Sequence, residues 1–159
     1  VHSGSDKFSI YPGIRKAIDL HDAGVHVKTA GTTWLEDLIG LAESGGSSLD
    51  LVKDIYAASF SRFDELCGPY ASVIDIERNL LPLPEEFNRW NDQKIAQSIR
   101  HDMSCSDYDK NIRQLLHVGY KVAAEHGTTY LQALETHKDV IGRHVCTNLF
   151  EKHITPLFL

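Results

Sequence analysis

From Leu49 to Phe150 the apolar residues of this chain recur every three or four positions, and that spacing commits most of it to amphipathic helices. A stripe through Val52, Ile55, Tyr56, Ala58 and Phe63 predicts a helix over Leu49–Leu66, broken by the sequence CGPY. Glu85 and Glu86 open another helix that runs towards Arg100. Ile112 to Glu125 and Thr129 to Phe150 read as two more, the first stopped by Gly127. Gly119, inside an apolar helix, predicts the close approach of another backbone. Ser72–Glu77 reads either as a strand or as the start of a helix, and ITPLFL at the end reads as a short tail.

The first 46 residues change period twice. Pro12 to Leu20 reads as a short helix, with proline in its first turn and Ile14, Ala17 and Ile18 on one side. Gly24 caps it. The β-branched run that follows predicts a strand from Val25 to about Thr29. Thr32 or Thr33 then caps a helix, with Glu36 as the capping-box partner of Thr33. That helix carries Leu35, Leu38, Ile39 and Ala42 on one face and ends at SGGSS. With a strand end before Pro12, the order is strand, helix, strand, helix, which implies two parallel strands and a right-handed crossover. The expected fold is therefore α/β and helix-dominated, with residues 1–46 as a βαβα segment and 47–159 mainly helical.

Composition removes several function classes. A formal net charge of −6, with no basic run interleaved with aromatics, disfavours a nucleic-acid surface. No apolar stretch approaches the roughly 20 residues that span a bilayer, and residues 1–20 lack the apolar core of a signal peptide. Cys67, Cys105 and Cys146 are odd in number, far apart and form no CxxC pair, which predicts reduced thiols and a cytoplasmic setting. The expected partner is a small molecule, with self-association left open.

The opening VHSGSDKFS concentrates chemistry where termini are ordinarily bland. If His2 ends one strand and His26 lies in its parallel neighbour, strands about 4.8 Å apart bring two imidazoles to one divalent ion. Side-chain alternation turns Lys28 the same way as His26. Asp6 and Lys7 follow in the loop at the edge where α/β sheets bind ligands. Ser3 and Ser5 flank Gly4 in a turn whose backbone N–H groups can meet an anion. The plainer reading makes these a turn and two structural histidines. His117, His137, His144 and His153 sit within helical patterns and read as structural or solvated. A second cluster, Arg100-His101-Asp102, offers a guanidinium that can clamp a carboxylate, against the alternative of a local Arg–Asp surface pair.

Four motifs, HSGSDKFSIYP, HVKTAGTTWLE, RQLLHVGYKVAAEHG and LFEKHITPLF, resemble in order the C-terminal part of bacterial tagaturonate/fructuronate epimerases, over nearly the whole chain. The resemblance implies a (β/α)₈ barrel enzyme of hexuronate breakdown that interconverts two ketouronates with a divalent metal. It implies His2 and His26 as metal ligands. The chemistry would be inversion at a hydroxyl-bearing carbon two removed from the ketone, with the metal as Lewis acid. Retro-aldol cleavage with rotation, direct proton exchange and a hidden redox step all stay open. Lys7, Lys28 or Arg100 would hold the substrate carboxylate, and Asp6 would move a proton or steady a metal ligand. A barrel takes about 250 residues, so the expectation is a C-terminal portion whose N-terminal half is absent and which is inactive alone. Another metal-dependent ketose enzyme, such as an aldolase, and a non-catalytic helical assembly module remain alternatives.

Overall fold

The computed structural model describes residues 8–159. A 3₁₀ turn over Phe8–Ile10 leads into α1 (Tyr11–His21), as the placement of Pro12 predicts. Then follow α2 (Ala30–Glu43), α3 (Gly46–Ser61), α4 (Phe63–Cys67), α5 (Pro84–Asn88) and α6 (Asp92–Ile99). The second half holds α7 (Lys110–Val118), α8 (Tyr120–Glu125), α9 (Thr128–Thr136) and α10 (Lys138–Cys146). A π-helical segment over Thr147–Ile154 joins α10 to α11 (Thr155–Phe158).

Helix dominance is borne out, but no strand occurs among the described residues. Residues 23–29 take no regular structure, so the strand expected over Val25–Thr29 is absent. A strand needs a neighbour for its N–H and C=O groups, and the described residues offer none. The other expected strand end, at His2, lies outside the described residues. Ser72–Glu77, too, is turn and coil, neither strand nor helix.

The core forms around α2. Leu35, Leu38, Ile39, Leu41 and Ala42 are fully buried, so the predicted apolar face is real and extends around most of the helix. Helices α3, α6, α7 and α10 pack on it. Beneath α3, Tyr56 stacks on Phe87 with ring centroids 3.8 Å apart and donates its hydroxyl to the Pro82 carbonyl at 2.7 Å. Trp34 reaches from α2 to the Leu116 carbonyl at 2.9 Å.

Several long helices expected from periodicity are broken. The stretch from Glu85 to Arg100 divides because Asn91 caps α6, accepting the Lys94 N–H at 2.8 Å. The stretch from Thr129 divides at His137, just after Thr136 turns its hydroxyl back to the Gln132 carbonyl. Helix α7 ends at Gly119. A Cβ there would stand 2.5 Å from Ser59 Oγ on α3, so a side chain crowds it and not the backbone expected. The capping box of Thr33 and Glu36 does not mark the start of α2, which begins at Ala30, and Thr33 N–H already bonds the Thr29 carbonyl. Glu36 is buried instead and accepts from Asn148 Nδ2 at 3.1 Å. The supposed tail is helical, buries Leu157 and packs on α1, where Arg15 bonds the Leu157 carbonyl.

Candidate functional site

Of the residues singled out at the front, His2, Ser3, Ser5, Asp6 and Lys7 lie outside the described residues. Phe8 is the first described. Its ring meets His101 at 5.5 Å, His153 at 5.2 Å and Tyr11 at 5.8 Å between centroids. Tyr11 Oη and His153 Nδ1 share a buried hydrogen bond of 2.6 Å. The structure thus brings the described front of the chain against the 100–102 loop, two regions that the sequence offered separately. His153, read from its helical setting as structural or solvated, is buried rather than solvated.

His26 and Lys28 are exposed, while Val25 before them and Val27 between them are half-buried. The period-two alternation therefore survives without a strand. Arg100 extends from the end of α6 and donates from Nη2 to Glu43 at the end of α2. The other Glu43 oxygen meets His144 Nε2 of α10 at 2.7 Å. The local Arg100–Asp102 pair, the alternative to a carboxylate clamp, does not form, because Asp102 turns to its own loop. It accepts from Ser104 Oγ at 2.6 Å and Ser104 N–H at 2.9 Å, and these bonds hold its carboxyl below the usual range.

Arg100 lines a cleft of about 400 Å³ with Glu43, Asp92, Gln93, Gln97, Asp102 and Cys105. One guanidinium among three carboxylates and two carboxamides makes a site that can exchange hydrogen bonds with many hydroxyls, with its lining cation Arg100 already engaged by Glu43. Cys67 is buried, Cys105 half-buried and Cys146 exposed, all as free thiols. Among the described residues no three His, Cys, Asp or Glu gather into a group able to hold a metal, and no helix is long and apolar enough to cross a membrane.

Sequence reasoning missed two carboxylates of α2. Glu43 sits just past the apolar run, and its partners are remote in sequence. Asp37 lies inside that run, which was the available signal. Its Oδ2 accepts from Tyr130 Oη at 3.3 Å. Burial raises its pKa from 3.8 to about 6, the Tyr130 bond opposes this, and the neighbouring Glu36 charge adds to it. A carboxyl with a raised folded value holds its proton more tightly when folded. Its contribution is therefore present below about pH 4 and is lost as pH climbs through about 6. Asp37→Asn is expected to raise stability at pH 7 by about 1–2 kcal/mol, after allowance for partial exposure, and to have little effect at pH 4. Urea midpoints of both proteins across pH 4–7 check this, and a pH-independent difference would refute it.

A family model described as tagaturonate epimerase matches residues 1–154. A tagaturonate/fructuronate epimerase of Thermotoga maritima is 34% identical over 121 residues, 76% of this chain and 21% of that protein. The chain thus spans about a fifth of the length of the relative it matches. No solved structure matches. With the family's pattern extending through the front motifs, α2, the Arg100 loop and the C-terminal helices, the chain belongs to the tagaturonate epimerase family.

Proposed function

We propose that this chain is the C-terminal part of a longer epimerase that interconverts tagaturonate and fructuronate in the cytoplasm, as part of hexuronate breakdown. The observation that carries the reading is the family match along residues 1–154. The cleft beside Arg100 supports it, since its volume suits a six-carbon acid and its carboxylates and carboxamides suit hydroxyl groups. Arg100 shares Nη2 with Glu43, so a substrate carboxylate either competes with Glu43 or uses the other N–H groups of the guanidinium. Lys28 is a second cation for the same acid, and Lys7, Ser3 and Ser5 complete the proposed binding set. Asp6 is proposed to move the proton. The barrel that would surround these groups belongs to the same reading.

A divalent metal is also part of it. Of the two proposed ligands only His26 is among the described residues, where it is exposed, and no complete centre forms among those residues. His2 is the second proposed ligand, and the remaining donors would come from outside this chain. Of the described residues, Arg100 in the cleft and the exposed Lys28, which does not line it, are the ones proposed to orient the acid group.

Turnover of tagaturonate by the purified longer polypeptide, with none above blank for the 159 residues alone, is the expected result. Turnover by the short chain would overturn the divided site. In the longer polypeptide Arg100→Ala is expected to raise KM at least about tenfold with a smaller change in kcat, because a charge-assisted bond is worth about 1.5–3 kcal/mol. An unchanged KM would remove Arg100 from the site. The wholly helical regular structure of the described residues favours a second reading, a module for assembly. Under that reading, deleting the segment would dissociate an oligomer and leave turnover intact.

A further inference from the structure

Between Lys138 and Phe158 the backbone stays helical through α10, the π-helical segment and α11. The inner side of this run buries Ile141, Asn148, His153 and Leu157. Its outer side carries Cys146, Phe150, Ile154 and Phe158 at intervals of four, which places them along one face. Phe150 is 53% exposed, Ile154 41% and Phe158 46%. Single exposed apolar residues are ordinary on a protein surface, but three large ones in line are not. Exposed Thr147, Glu151 and Thr155 stand beside them and give the line a polar edge. An apolar line with a polar rim is the form of a helix face that packs into a groove.

We propose that this face is covered by an apolar surface on the part of the epimerase polypeptide that this chain does not contain. The inference rests on the reading that the chain is part of a longer protein. The relative's length argues for that occupant, because only 21% of it aligns with this chain and the rest must pack somewhere. A covalently linked partner also reaches the face at a high effective concentration, which a second copy arriving from solution does not match.

Cys146 is a native probe, exposed and in line with the three apolar residues. The longer polypeptide is treated with a maleimide, and labelling at each cysteine is read by peptide mass mapping, native against urea-unfolded. Cys146 is expected to label at least about tenfold more slowly in the native protein, at every protein concentration tested. An Ile154→Cys variant is expected to show the same protection. Labelling of both at the unfolded rate overturns the proposal. Protection that appears only on concentrating the protein assigns the face to a second copy and overturns it as well. A reading frame encoding only these 159 residues would remove the inference and the longer-chain reading together, whereas an exposed thiol in an active longer enzyme removes the inference alone.

Discussion

Gly40→Val is expected to destabilise the helical body by on the order of 3 kcal/mol or more, which for a chain this size lowers Tm by roughly 10 °C. Gly40 is buried in the last turn of α2, where α10 packs on it. A Cβ on Gly40 would stand 2.6 Å from Ile141 Cγ1, 2.9 Å from Ile141 Cα and 3.2 Å from its backbone nitrogen. The side-chain carbon can rotate away, but the backbone atoms cannot move without displacing α10. Helix α10 also carries His144, which holds Glu43, so the shift reaches the cleft beside Arg100. Gly40→Ala introduces only the Cβ and regains up to about 1 kcal/mol of helix propensity, so its net cost is expected to be smaller. Thermal unfolding followed by circular dichroism checks both. A Gly40→Val protein melting within 2 °C or so of the parent would show that α10 does not pack as described.

In the longer polypeptide, His26→Ala is expected to lower metal affinity by at least about a hundredfold and to take turnover down with it. His2→Ala should do the same, because a site of few protein ligands cannot easily spare one. Lys28 lies two residues on in the same exposed register, yet cannot ligate as an ammonium. Lys28→Ala is therefore expected to keep the metal and raise KM, which separates ligand from substrate contact. Metal content by mass spectrometry, set beside steady-state kinetics, gives the answer. If both histidine variants keep stoichiometric metal and normal turnover, the ligand assignment fails. Attention then moves to Arg100 and His101, whose loop meets Phe8 at the front of the chain.

The face of α2 was legible, since Leu35, Leu38, Ile39 and Ala42 are spaced for one side of a helix, and all are fully buried. The start of α1 near Pro12, which sits in its first turn, was legible for a similar reason, because a proline's preference is set by its own ring. Arg100 was visible as a guanidinium in a polar loop, but its partner was not. Glu43 lies 57 residues from Arg100 and 101 from His144, and no local pattern pairs them.

By itself the sequence determined the helical periods, the apolar faces, the turns and the kinship carried by the four motifs. These depend on a residue's own conformational preferences or on neighbours within about a turn. Only the tertiary structure decided that Val25–Thr29 is no strand, that Gly119 meets Ser59, that the final residues dock on α1, and that Phe8 lies against His101 and His153. Each of these needs a partner brought close by packing. A strand forms only beside another edge, a glycine's neighbour belongs to another helix, and a guanidinium settles on whichever carboxylate the core delivers to it.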